Sequence, residues 1–337
     1  MPAPLELVLG GLDRARSRVL KACTPLSGTL AARRELRIAV IGIVGIACCF
    51  ATTIAAPILM LALGPIVLGV PHLVADVRYC LVRPGWHRRR ALVVAAGIPL
   101  VLAVATGELA LAFVAVAGAA AAARGPTRRR MLVIALALVA TIATASLPRI
   151  ATLALVHAHN VVGIALWLAW RRRRTALHLL PLGLCITLTL LLLGLPLEAS
   201  SWLVDEATRA QELQRLAPGL PETLATRVLL SFCFAQAVHY VIWLRLVPED
   251  DRERVSPRTF RASYRALARE LGVPLLAIAA LFALALATWA VFDLHAARDG
   301  YLALAGFHVV LELAAAALIF IEGRPTDHTL TTRRGDG

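Results

Sequence analysis

The sequence predicts an all-α fold: a polytopic integral membrane helix bundle of about ten transmembrane helices with both termini in the cytoplasm. Three observations carry this expectation. Of 337 residues, 59% are hydrophobic and 17% charged, with a mean hydropathy of +0.75. Soluble domains hold about 45–50% apolar and about 25% charged residues. Apolar runs close to the roughly 20 residues that cross a bilayer core recur along the whole chain. None of these runs alternates polar and apolar residues as a barrel strand does. A water-soluble enzyme, a disordered tail and a disulfide-rich secreted module are excluded by the same numbers.

Taken in order, residues 1–35 form a cytoplasmic amphipathic segment. Leu5, Val8, Leu9, Leu12, Val19 and Leu20 share a face, while Asp13, Arg14, Arg16, Arg18 and Lys21 interrupt it. That pattern is not a signal peptide; it suits a helix lying on anionic lipid. The transmembrane domain, 36–322, contains ten predicted spans: 37–56, 58–77, 91–106, 109–123, 131–146, 150–170, 175–195, 224–244, 273–292 and 301–321. Pro57, Gly107-Glu108 and Pro148-Arg149 mark tight hairpins between neighbours. The outer loop 196–222 is long enough to fold over the bundle as a short helix. The cytoplasmic loop 248–272 is amphipathic, with Phe260, Tyr264, Leu267 and Leu271 on one face and Ser256-Pro257 as its expected N-cap and first-turn proline. Residues 323–337 form a cytoplasmic tail.

The net charge of +14, from 35 Lys+Arg against 21 Asp+Glu, follows this topology. Thirty of the 35 basic residues fall on the side of the N-terminus, with Arg149, Arg209, Arg215 and Arg298 on the other and Arg227 inside a span. This positive-inside bias orients the chain as a multi-pass protein of the cell's inner (cytoplasmic) membrane. Membrane lipids are the implied partners. Nucleic acid is not, because the basic residues are scattered over separate loops. The six cysteines show no Cys-x-x-Cys spacing and read as free thiols.

Ionisable residues within spans are costly and point to function. Five histidines lie deep: His72, His157, His159, His239 and His308. Asp76 follows His72 by four residues and Glu312 follows His308 by four, so each pair shares a helix face. The first stripe runs Pro65, Gly69, His72, Asp76, Tyr79; the second reaches back to Ala305 and Tyr301. His239 stacks on Ala235 and Ser231, with Gln236 and Tyr240 beside it. His157 and His159 are about 200° apart on an ideal helix. One of them can face a shared centre, and the more polar face belongs to His159. Neutral imidazoles ligate iron, copper or zinc, with Asp76 and Glu312 as ligands or as outer partners that orient them. The Gly- and Pro-rich run 63–71 breaks helix regularity just before His72, which is tolerated where backbone lines a protein cavity.

The segment Gly-Val-Pro-His-Leu-Val-Ala-Asp (69–76) resembles the Gly-x-Pro-His-Gly-Ala-x-Asp motif of the Brp/Blh family of membrane β-carotene dioxygenases. Leu73 and Val74 stand where that family has Gly-Ala. The resemblance implies non-haem Fe(II), O2 as co-substrate and cleavage of a carotenoid to a retinal-type product. It carries over to His72 and Asp76 by motif, and to His239 and His308 as histidines of later spans.

The leading expectation is a membrane-embedded non-haem iron oxygenase acting with O2 on a lipid-soluble substrate, with carotenoid cleavage as its specific form. The ligands would be His72, His239, His308 and one of His157 and His159, with iron or another transition metal bound. Tyr79 and Tyr240 are the candidate catalytic hydrogen-bond donors. Two alternatives are a haem-binding electron-transfer protein and a His/Asp/Glu-lined metal or proton transporter.

Overall fold

The computed structural model describes residues 3–22, 26–171, 173–194, 206–252 and 255–324. Cys23, His328 and nearly all of the expected tail lie outside them. Among the described residues there is no strand. The elements are α1 (Ala3–Ala22), α2 (Leu26–Ala32), α3 (Arg34–Ala55), α4 (Pro57–Val82), α5 (Arg90–Thr106), α6 (Leu109–Ala122) and α7 (Thr127–Ser146). They continue with α8 (Pro148–Trp170), α9 (Leu179–Gly194), α10 (Glu206–Leu216), α11 (Glu222–Asp250), α12 (Phe260–Leu271), α13 (Val273–Phe292) and α14 (Leu294–Glu322).

Each of the ten apolar runs is a helix. Seven of these, α3, α4, α7, α8, α11, α13 and α14, are long and apolar enough to cross a membrane. α5, α6 and α9 are shorter. The 14 residues of α6 rise only about 21 Å, against a hydrocarbon core of about 30 Å. α5 and α6 form a hairpin whose turn is Gly107, at φ 73°. Close packing replaces hydrophobic drive between helices in lipid. Gly118 shows this: a Cβ there would meet the Ala95 carbonyl oxygen at 1.9 Å.

Four stretches wind as π-helical turns: 65–69, 78–82, 93–97 and 242–246. Each ends two residues before a proline, namely Pro71, Pro84, Pro99 and Pro248. A proline inside a helix lacks an N–H and collides with the carbonyl four residues back. Those carbonyls belong to residues 67, 80, 95 and 244, the middle residue of each π turn. Widening the turn gives the ring room, and at Pro71, Pro99 and Pro248 the helix continues past it, whereas α4 ends at Val82 before Pro84. Two of the turns bracket the stretch of α4 that carries His72 and Asp76, and one follows His239 in α11.

α4, α11, α8 and α14 pack in sequence around a ring, α4 on α11, α11 on α8, α8 on α14 and α14 on α4. α14 also lies against α5, α6 and α13, and is the central helix. Trp167, Trp170, Trp243 and Phe234 are among the largest fully buried side chains. The five described cysteines are free.

The helix ends expected to share one side meet in space. Arg37 and Arg252 bind Glu249, Arg173 binds Asp250 at 2.9 Å, and Arg89 binds Glu322 at 2.7 Å. Arg78 pairs with Glu270 and Arg83 with Asp251, each at 2.7 Å. α1 packs on α12, where Asp13 accepts from the backbone N–H of Phe260 at 2.6 Å. The N-cap of α12 is Thr259, accepting from Ala262 N–H at 3.1 Å, rather than the expected Ser256. Thr259 and Asp13 together satisfy the first-turn donors, so the helix begins three residues later. At the opposite end, α10 realises the short helix expected in the outer loop. Its Leu213 and Leu216 pack on Leu61, Leu229 and Phe232.

Burial pushes the Glu270 carboxyl up, but the hydrogen bond and charge of Arg78, with Arg83 beside it, outweigh that and hold it below its ordinary 4.5. Asp251 is shifted the other way, because burial outweighs the pull of Arg83. A depressed carboxyl stabilises the fold above its unfolded pKa and loses that contribution as pH falls through the folded value. E270Q is therefore expected to lower Tm at pH 7 and to flatten the acid side of the Tm–pH curve relative to the parent, measured by thermal melts in detergent. A parallel pair of curves would refute this role.

Candidate metal centre

Each helix of the ring sends one histidine inward: His72 from α4, His239 from α11, His159 from α8 and His308 from α14. The ring centroids of His72 lie 4.8 Å from His239 and 5.1 Å from His308. His159 lies 5.2 Å from His239 and 5.6 Å from His308. The Nε2 atoms of His72 and His239 are 3.1 Å apart. Asp76 Oδ2 is 3.2 Å from His72 Nε2, and Glu312 Oε1 is 3.1 Å from His239 Nε2. One ligand atom from each of His72, His239, His308 and Glu312 lies within 4.8 Å of all the others.

The 3.1 and 3.2 Å spacings suit a coordination sphere. With metal–ligand bonds near 2.1 Å, ligands about 90–110° apart stand roughly 3.0–3.4 Å from one another. The proton positions suit it too. His159 Nδ1 donates to the Val156 carbonyl at 2.7 Å and His308 Nδ1 to the Ala305 carbonyl at 2.5 Å. A carbonyl only accepts, so the proton sits on Nδ1 and leaves Nε2 as a bare lone pair. Each of these imidazoles is thereby fixed by its own helix, three residues back, in the way ligating histidines are usually held.

The strongest fit to a cation is electrostatic. Asp76 and Glu312 are fully buried; neither Asp76 oxygen has a hydrogen-bond partner, and the indole of Trp243 is the donor nearest Glu312. Nδ1 of His72 is likewise without a partner. Among the described residues no Lys or Arg pairs with either carboxylate. An isolated buried charge carries an effective penalty of several kcal/mol. A divalent cation at the centre would offset both carboxylates and take the imidazole lone pairs at once. Gly163 of α8 makes room for this: a Cβ there would sit 2.6 Å from His239 Nδ1.

The structure separates the two histidines of α8. His157 is turned to the Leu216 carbonyl, 3.0 Å from its Nε2, and packs edge-on to Phe232 at 5.1 Å. It is therefore removed from the ligand set, since residues two apart on a helix face opposite ways. Tyr79, expected as a catalytic donor, is also elsewhere. It accepts from Arg78 Nη1 at 3.1 Å and packs against Trp170. It shares the face of His72 but lies about 10 Å along the axis from it. Tyr240 does reach the centre, its ring 5.3 Å from that of His72.

Sequence reading did not single out Trp243, whose ring lies 6.3 Å from His72 and 6.5 Å from His239. Its position four residues after His239, on the same face, was the available signal. Tyr301 was placed on the right stripe but given no role. It is buried against Gly69 and its hydroxyl has no partner.

A cavity of about 490 Å³ leads to the histidines. His72, His159, His239 and His308 line one end, and Val104, Leu153, Phe232 and Val309 are among its apolar walls. Compared with protein-family models, curated proteins and solved structures, the chain has no match in any of the three.

H72A, H239A and H308A are each expected to lose bound transition metal, at least about tenfold in affinity, by elemental analysis of purified protein. H157A should retain it, and G163A should weaken it by displacing His239. Equal loss in H157A and H308A would refute the assignment of ligands.

Proposed function

We propose that the chain is a membrane-embedded oxygenase that binds a transition metal, iron in the specific reading, and acts with O2 on a lipid-soluble substrate. The observation that carries the reading is the convergence of His72, His239, His308 and Glu312 at the end of a cavity lined mainly by apolar residues. In the specific form suggested by residues 69–76, one C=C bond and one O2 become two C=O groups. That stoichiometry needs no further reductant. A redox-active ion held by these residues would supply the activation of O2.

The chain's own residues do the rest. Three imidazoles and a carboxylate are neutral or anionic donors that leave room for further ligands. His159 and His308 are kept neutral-facing by their own helices, so no proton need leave before a metal binds. The apolar walls admit a hydrocarbon and exclude water from the reacting carbons. Tyr240 stands beside His72 as a hydroxyl donor to the substrate's new oxygen. Haem suits the donor set poorly. Axial histidines need an open plane between them for the macrocycle, and His72 stands 4.8 and 5.1 Å from the two rings that would flank it. The positive-inside bias supports residence in the inner membrane with both termini cytoplasmic, and supports membrane crossing by the three shorter helices as well.

The test is oxygen isotope transfer. Metal-loaded protein incubated with a polyene under ¹⁸O2 is expected to yield carbonyl products carrying ¹⁸O, read by mass spectrometry. Product formed equally without O2, or without label, would overturn the oxygenase reading.

A further inference from the structure

The cavity has a second end, and it is polar. Glu108 of the α5–α6 turn, Glu212 and Arg215 of α10 and Arg298 of α14 line the same space as the four histidines. Arg298 and Glu212 form an ion pair at 2.6 Å with side chains only 4% and 3% exposed. Asp299 is 3.1 Å from Arg298 and 3.0 Å from Arg215. These residues sit at the end of the bundle opposite the basic, ion-paired floor.

One face of α14 connects the two ends. Arg298, Tyr301, Ala305 and His308 recur at intervals of three and four residues, and all four line the cavity. Ten residues of helix separate Arg298 from His308, a rise of about 15 Å. Part-way along, the Tyr301 hydroxyl is buried and has no partner. The cavity is thus a slot with a polar anchor at one end, a spare hydroxyl between, and the metal centre at the other.

We infer that the site takes an elongated, apolar amphiphile with a neutral polar end group, a hydroxyl or carbonyl, anchored at Arg298–Glu212, with its reacting bond about 15 Å away at His308. The end group is neutral because the anchor is already charge-balanced. An anionic end would compete with Glu212 for Arg298, whereas a hydroxyl donates to Glu212 and accepts from the guanidinium. The orientation matches a bilayer, with the polar end near one interface and the chain running toward the midplane. The reaction half of this inference rests on the oxygenase reading; the binding half does not.

The test uses the full, purified chain and three polyenes of equal length ending in a hydroxyl, a carboxylate or a methyl group. Binding is followed by the polyene's own absorption. The hydroxyl-ended polyene is expected to bind at least about tenfold more tightly than the methyl-ended one, and more tightly than the carboxylate. Equal affinity for hydroxyl and methyl ends, or tightest binding of the carboxylate, overturns the inference. The double variant E212Q/R298Q removes both charges together, so neither is left buried alone. Its preference for the hydroxyl should fall to less than about threefold while the methyl-ended polyene binds as before; an undiminished preference overturns the anchor. With O2 present, the cleaved bond should keep its distance from the hydroxyl as the tail is lengthened. Cleavage that tracks the methyl end overturns the ruler. A preserved hydroxyl preference with no oxygenated product would sink the oxygenase reading and leave the amphiphile site standing.

Discussion

Two carboxylates with no protein cation beside them, at the centre of an apolar bundle, set the terms for everything around them. Among the described residues no Lys or Arg pairs with Asp76 or Glu312; their near neighbours are imidazoles and the Trp243 indole. Uncompensated charge inside a span is costly. It is relieved either by protonation of the carboxyls or by positive charge arriving from outside, and the surrounding residues are those that would receive a cation. Imidazoles stand at 3.1 and 3.2 Å, and Gly163 clears the space His239 occupies. The four helices that supply the histidines are also the ones that close the ring.

The bundle keeps its own cations elsewhere. Arg37, Arg78, Arg83, Arg89 and Arg173 are each tied to a carboxylate at the basic end, and Arg298 is tied to Glu212 at the other. That division leaves the centre electrostatically unmet and both rims satisfied. It also fixes α12 and α10 against the ends of the spans.

Much of this was readable beforehand, for physical reasons. The i, i+4 spacing of His72 with Asp76 and of His308 with Glu312 is a local property of a helix, and it survived folding intact. The opposite facing of His157 and His159 is equally local. Tyr79 misled because a shared face says nothing about depth. Two turns along the axis placed it with Arg78 and Trp170 instead. Trp243 and the Arg298–Glu212 pair went unremarked because their meaning depends on which helices become neighbours, and no periodicity states that. The break before His72 was visible in its glycines and prolines. The widened turns before Pro99 and Pro248 obey the same steric rule, but applying it requires knowing that the helix continues past the proline.

Those widened turns have a consequence for how this chain can be compared with others. Each accommodates more backbone per turn than the α frame, so the residues on its two sides are out of step by about one position. An alignment that matches helix faces would therefore need single-residue gaps near positions 67, 80, 95 and 244. A gapless alignment would pair His72 or His239 with the wrong face of a relative that lacks the proline.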